Sequence, residues 1–358
     1  MVKRSKKRVV VAMSGGVDSS VSALLLKEQG FEVIGITMKL WSYSGIDNRI
    51  QGCCSPEDIN DARRAADQLD IPFFVLNLEN EFRSDVVENF VKEYLNGRTP
   101  NPCVWCNSRM KFHYLIMKAD ELNADYIATG HYAVIKKNGS GLVLKKGRDG
   151  MKDQTYFLFN MPLAAMPRII FPVGGLLKAE TRKIAKEHRL MIAEKAESQE
   201  ICFIPDGDYP KFLKKEKRMP DMLGEILDSR GNVLGYHHGY FNYTIGQREG
   251  LGVSASGRMY VVRIDPEKNT VIAGTAEDVL SKQLNADGIN WLVDPGRKKG
   301  FRCNAKIRYR HQESPCTVEL LDNDRVRVDF DEAQRAVTPG QAVVFYDGDV
   351  VMGGGWIE

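Results

Sequence analysis

Arg8-Val9-Val10-Val11-Ala12-Met13-Ser14-Gly15-Gly16-Val17-Asp18-Ser19-Ser20 decides the fold of this 358-residue chain. Arg8 to Met13 has the β-branched character of a buried strand, and Ser19 to Gln29, stopped at Gly30, has that of a helix. Two glycines between them let backbone N–H groups close around an anion, and the helix N-terminus adds a favourable dipole and unpaired donors. No Gly-Lys-Ser/Thr follows, so the loop is not of the Walker type, and the three spaced glycines of a dinucleotide fingerprint are absent. The alternative is a plain turn with Ser14 or Asp18 capping the helix. The full string from Ser14 to Ser19, placed directly after a strand, favours phosphate binding.

Working outward, Phe31 to Met38 forms a second predicted strand. Ser55-Pro56-Glu57-Asp58 supplies an N-cap, a proline at the first helical position and an acid at the third, opening a helix to about Asp70. Phe73 to Leu78 is a third strand, Glu81 to Leu95 and Asn107 to Leu122 are helices, and Asp125 to Thr129 is a strand ending in Gly130-His131. This alternation predicts an α/β fold with a doubly wound parallel sheet. Beyond Pro205 the pattern changes. A basic segment, Lys211 to Arg218, precedes two expected hairpins, Gly224 to Tyr236 and Arg258 to Ala273. Short alternating strands such as Cys316 to Leu321, Arg325 to Phe330 and Ala342 to Tyr346 then predict a small β-barrel. The expected domains are 1–205, 206–281 (small, central, mixed or β) and 282–358 (barrel).

A composition of 43% hydrophobic and 27% charged residues is that of a globular protein, and the longest apolar runs are too short to cross a bilayer. The basic start lacks a following apolar core or cleavage site, so a cytoplasmic protein with no membrane association is expected. Net charge is only +3, and without Lys3, Arg4, Lys6, Lys7 and Arg8 the rest of the chain comes to −2, so any nucleic-acid surface must come from local arrangement. In Phe301 to His311, strand alternation would put Arg302, Asn304, Lys306, Arg308 and Arg310 on one face, suited either to solvent or to phosphates.

Seven scattered cysteines argue against a secreted disulfide framework. Arg98-Thr99-Pro100-Asn101-Pro102-Cys103-Val104-Trp105-Cys106-Asn107 contains a C-x-x-C pair, which by itself could be half a zinc site, a redox pair or two buried residues. No second such pair exists, and Cys106 lies at the start of the next predicted helix, where the dipole favours thiolate. In Glu197-Ser198-Gln199-Glu200-Ile201-Cys202-Phe203-Ile204 a polar stretch enters an apolar strand, so Cys202 taken alone is a strand cysteine. Beside Cys106 and the glycine loop it becomes a sulfur carrier, because persulfide transfer needs one cysteine to carry and another to exchange. Cys303 and Cys316 are expected in a core, and Cys53 and Cys54 to pack as a vicinal pair.

The glycine loop resembles that of the PP-loop ATP pyrophosphatases, which transfer AMP to a substrate oxygen. Along nearly its whole length the chain resembles the tRNA-specific 2-thiouridylases. The strings that carry this are Ala12 to Ser19, Arg98 to Pro102 with Cys106-Asn107, Ala128-Thr129-Gly130-His131-Tyr132, Lys152-Asp153-Gln154-Thr155-Tyr156, Cys202-Phe203, and Tyr243-Thr244-Ile245-Gly246-Gln247-Arg248 with Gly250-Leu251-Gly252.

The resemblance implies a sulfurtransferase that adenylates the 2-carbonyl oxygen of the tRNA wobble uridine and replaces it with sulfur. It implies ATP binding at Ala12, Met13, Ser14, Gly15, Gly16, Val17, Asp18, Ser19, Met38 and Gly130, and target-base contact at Asn101, Pro102 and Cys103. Relatives carry either Cys or Asp at position 103. The tRNA contacts it implies are His131, Lys152, Asp153, Gln154, Arg308, Tyr309 and Gln341. Cys106 would be the catalytic nucleophile and Cys202 the persulfide intermediate, the two closing a transient disulfide. Expected cofactors are ATP with magnesium and no permanent metal; expected partners are tRNA and a cysteine desulfurase or sulfur-relay protein, with the free chain a monomer. Two other functions fit parts of the pattern: an iron–sulfur protein using Cys103, Cys106 and Cys202 as ligands, and a small-molecule adenylating ligase.

Overall fold

Three consecutive valines, Val9, Val10 and Val11, are fully buried because their strand lies mid-sheet. The computed structural model describes residues 6–42, 55–139, 141–196, 201–217, 221–253, 257–296 and 299–358. Cys53 and Cys54 lie outside these residues. The chain forms two compact units: residues 1–86, 103–207 and 349–351, and residues 87–102, 208–348 and 352–358. No helix among the described residues is long and apolar enough to cross a membrane.

In the first unit the strands are β1 (Arg8–Ala12), β2 (Glu32–Lys39), β3 (Phe73–Asn77), β4 (Tyr126–Ala128) and, after the hairpin β5 (Ala133–Asn138) and β6 (Gly141–Lys146), β7 (Ile169–Ile170). The parallel sheet has the order β3-β2-β1-β4-β7, with Val10 opposite Ile34 on one side and Ile127 on the other. Val9 and Val11 share a core with Val21 and Leu24 of α1 (Val17–Glu28) and with Ala62, Ala65 and Ala66 of α2 (Pro56–Gln68). The expected capping box opens α2: Ser55 Oγ accepts from the Asp58 amide at 3.1 Å, and Asp58 accepts from Ser55 in return. Since β1 hands the chain to β2 on one side while β4 flanks it on the other, the loops leaving β1 and β4 bound a crevice at the carboxyl edge of the strands, where open α/β sheets bind ligands.

The second unit begins its β structure with β8 (Leu223–Leu227), β9 (Val233–His238), β10 (Tyr260–Asp265) and β11 (Thr270–Gly274), in the order β10-β11-β8-β9, and both expected hairpins are present. Then follow β12 (Leu280–Trp291), β13 (Gly300–Lys306), β14 (Ser314–Leu320), β15 (Val326–Arg335), β16 (Ala342–Asp347) and β17 (Val350–Ile357). Their order β12-β15-β14-β13-β16-β17 closes through antiparallel pairing of β12 with β17, Ala286 opposite Ile357 and Trp291 opposite Gly353. Closure removes the unpaired edges of an antiparallel sheet, around a core that includes Val318, Val328 and Phe345.

Three local expectations are corrected. The helix expected from Asn107 begins at Pro102 and runs as Pro102–Trp105, a π-helical segment Cys106–Phe112 and His113–Glu121. Proline at a first helical position loses no hydrogen bond, so it starts this helix, and Cys106 lies four residues in instead of at the expected helix start. The basic strand face stops at Lys306, because the partner strand β14 begins only at Ser314, opposite Ala305, and the chain must turn between them. Arg308 and Arg310 therefore sit in a turn, closed by the His311 amide donating to the Arg308 carbonyl. Ile201 to Ile204 form a turn instead of a strand, the Ile204 amide donating to Ile201 O at 2.8 Å with Cys202 and Phe203 at its corners.

Candidate active site

Gly15 has φ +73°, and a Cβ there would lie 2.2 Å from the carbonyl oxygen of Asp58, so no side chain fits. Gly16 occupies the N-cap of α1 and no side chain caps the helix. Capping by Ser14 or Asp18 is thereby excluded, and the first-turn amides are left facing the loop as donors for an anion. Ser19 and Ser20 instead turn their hydroxyls back to the Gly16 carbonyl, at 3.1 and 3.0 Å, and Ser19 Oγ accepts from the Ser14 amide. Gly130, leaving β4, abuts the same turn: a Cβ there would lie 2.7 Å from Ser19 N and 2.8 Å from the Asp18 carbonyl carbon. Ala12 ends β1, Met13 donates its amide to Ile36 of β2, and Met38 lies near the end of β2. The expected nucleotide residues thus gather at the crevice edge.

The Asp18 carboxylate is bound by Lys178, whose Nζ lies 2.7 and 2.8 Å from its two oxygens, and by the Tyr132 hydroxyl, which donates to Oδ1 at 2.9 Å. Tyr132 Oη also lies 2.9 Å from Thr181 Oγ1. Lys178, with a side chain only 12% exposed, is a site residue that the sequence pattern did not single out. Its signal was available: it opens the helix Lys178–Glu187, the end where a cation opposes the dipole.

Cys103, one residue into its helix, is exposed, and Cys106 is half-buried at the first residue of the π-helical segment, a distortion frequent at functional sites. Asn107 donates to Phe157 O at 3.2 Å, while its own Oδ1 is buried without a protein partner. In the second unit, Gln341 Nε2 donates to Thr99 O at 2.9 Å and to Pro100 O at 3.2 Å, and the Thr99 amide donates to Pro339 O. Gln341, expected to meet tRNA, therefore holds the segment that presents Asn101. Cys202 is half-buried, and its neighbour Phe203 packs against Phe82 and Trp41 with centroids 5.6 and 6.0 Å apart. Among the described residues no three His, Cys, Asp or Glu side chains are grouped to hold a metal.

Other expected tRNA residues have structural work. Asp153 is buried, accepting from the amides of Gly147 and Thr155 and from the Thr155 hydroxyl. Gln154 Oε1 accepts from the Tyr132 amide at 2.9 Å, placing the tyrosine that holds Asp18. His131 is buried with Nδ1 2.7 Å from Thr129 Oγ1; burial, helped by the charge of Lys111, pushes its pKa well below the usual histidine value and keeps it neutral. Lys152 is half-buried in the 149–152 turn, its amide donating to Asp149 O. Arg308 donates to Arg335 O at 2.9 Å, and Lys306 Nζ lies 5.7 Å from the Tyr309 ring centroid.

Comparison with known proteins matches residues 7–206 to the family described as tRNA methyl transferase HUP domain, 210–275 to the tRNA methyl transferase PRC-barrel domain and 281–357 to the aminomethyltransferase beta-barrel domain. The tRNA-specific 2-thiouridylase MnmA of Geobacter metallireducens is 51% identical over 363 residues, covering 100% of this chain and 98% of that protein. The chain belongs to the tRNA-specific 2-thiouridylase family. The proteins of the same name as that relative in Geotalea uraniireducens and Carboxydothermus hydrogenoformans are 50% and 49% identical, covering 100% and 99% of this chain and 97% and 98% of theirs. Among solved structures the 2-thiouridylase chain is similar to a 4-thiouridine synthetase–RNA complex with bound ATP, at 15% identity and TM-score 0.36, over 59% of this chain and 50% of that one.

Proposed function

We propose that the chain thiolates the wobble uridine of tRNA at position 2 in two steps, the first of which consumes ATP. Its coarse part, thiolation of a tRNA uridine, is the activity named for relatives that match the chain end to end. The observation that carries the chemistry is the uncapped glycine loop at the crevice edge, with Asp18 and Gly130 against it. A uridine carbonyl oxygen is a poor leaving group. Its attack on the α-phosphate of ATP releases pyrophosphate and turns it into AMP, a good one. The loop amides face the charge that builds on the departing pyrophosphate. The loop's carboxylate, Asp18, already faces a cation in Lys178, and it suits a magnesium ion, which takes one or two carboxylates along with substrate phosphates. Bound there, magnesium would neutralise phosphate charge.

In the second step the terminal sulfur of a Cys202 persulfide attacks C2 and expels AMP. The Cys106 thiolate then attacks Cys202 Sγ, which releases the thiocarbonyl and closes a Cys106–Cys202 disulfide; an external thiol reductant reopens it. The sulfur reaches Cys202 from a cysteine desulfurase or sulfur-relay protein. Asn101, Pro102 and Cys103 meet the base, and Arg308 and Tyr309 contact the tRNA. The test is product analysis: tRNA-dependent turnover yields AMP and pyrophosphate, and Asp18→Ala loses both. ADP and phosphate would overturn the assignment.

A further inference from the structure

Residues 87–102, which end in Arg98-Thr99-Pro100-Asn101-Pro102, belong to the unit of the barrel and not to that of the nucleotide loop. Pro100 and Pro102 have no N–H, so this stretch has few backbone donors and must be fixed largely through its carbonyls. Gln341 meets that need. Its amide nitrogen has two hydrogens and donates to two successive carbonyls, Thr99 O at 2.9 Å and Pro100 O at 3.2 Å. Both neighbours are acceptors only, which fixes the orientation of the amide. Around this fork the Thr99 amide donates to Pro339 O at 2.8 Å and the Arg98 guanidinium to Ile357 O at 3.0 Å, while Arg98 Nε lies 2.7 Å from Glu93 Oε2. The base of the fork is held as well, since the Gly340 amide donates to Ile357 O and the Ile357 amide to Gln341 O. Pro100 O belongs to the peptide that enters Asn101, and both residues are buried.

We propose that Gln341 is a positioning residue for the target uridine: by holding the two carbonyls before Asn101 it fixes the residue that meets the base, so that the base is placed from the barrel. This rests on the reading of Asn101 as a base contact. Phosphate contacts set the affinity for tRNA, whereas placement of the reacting oxygen sets the rate. Gln341→Ala therefore lowers single-turnover pyrophosphate release at saturating tRNA by on the order of 100-fold, with tRNA affinity and its salt slope unchanged. Thiolation falls by the same factor, because adenylation precedes it. Gln341→Glu has the same shape but, ionised, no donor, and loses at least as much. Gln341→Lys supplies donors on a chain of similar reach and keeps most of the rate.

The experiment measures, on the full-length chain, tRNA affinity by filter binding and pyrophosphate release in a single turnover. Unfolding followed by Trp291 fluorescence separates a lost fold from a lost placement, and if Gln341→Ala does not fold, Gln341→Glu against Gln341→Lys decides. The proposal is overturned if Gln341→Ala reacts like wild type, if Gln341→Glu outperforms Gln341→Lys, or if extra tRNA restores the rate, which would make Gln341 a tRNA contact instead. Asn101→Ala that reacts like wild type would bring down the base-contact reading itself.

Discussion

The cysteines of the α/β unit and those of the barrel contain the same thiol in opposite settings. Cys103 is exposed on a helix start, and Cys106 and Cys202 are half-buried, the one on a π-helical segment and the other on a turn. Cys303 and Cys316 face each other across β13 and β14 with sulfurs 3.7 Å apart, and Cys316 has no exposed surface. The hydrogen bond to Cys316 and burial push the Cys303 thiol pKa far up. A thiol held protonated is a poor nucleophile, so closeness of two sulfurs does not make a redox centre. Cys303 is half-buried like Cys106 and Cys202, so what separates the two sets is the local backbone and the neighbouring sulfur rather than exposure.

The largest expected difference lies in activity. Cys106→Ala and Cys202→Ala lower thiolation by about a thousandfold or more, measured as 2-thiouridine formed per enzyme, while Cys303→Ala and Cys316→Ala stay near wild type. A barrel variant as inactive as Cys202→Ala would break the comparison.

Stability inverts the order. Cys316→Ala leaves a small cavity and costs about 1–2 kcal/mol, followed in denaturant by the fluorescence of Trp291, which stacks on the Phe345 ring of the same barrel at 5.6 Å. Cys103→Ala, at an exposed position, changes stability by less than about 0.5 kcal/mol.

The smallest effect belongs to the barrel's cations. Lys306→Ala and Arg308→Ala each flatten the log–log salt dependence of tRNA binding by about one unit, without altering the rate of sulfur transfer on bound tRNA. Arg302→Ala flattens it less, because both guanidinium ends of Arg302 are taken by Asp331, at 2.7 and 2.6 Å. An equal loss at all three would restore the continuous basic face that the strand pattern suggested.

That face was misjudged for a physical reason: alternation continues through residue 310, but a strand lasts only as long as its partner, and β14 begins at Ser314. Cys202 was drawn into a strand likewise, since an apolar Ile-Cys-Phe-Ile run suits a strand or a buried turn equally.

What the sequence determined by itself was everything written in neighbouring residues. The valine strand, the Gly15-Gly16 loop, the Ser55–Asp58 capping box and the hairpins are each signalled by residue types within a few positions. Tertiary structure alone decided which distant groups meet: Lys178 on Asp18, 160 positions away, Lys195 on Asp58, 137 away, and Gln341 on Thr99, 242 away. The identity of a lysine or glutamine carries its charge and donors but no address, and only the packing of strands and helices brings it to the carboxylate or carbonyl that gives it a role.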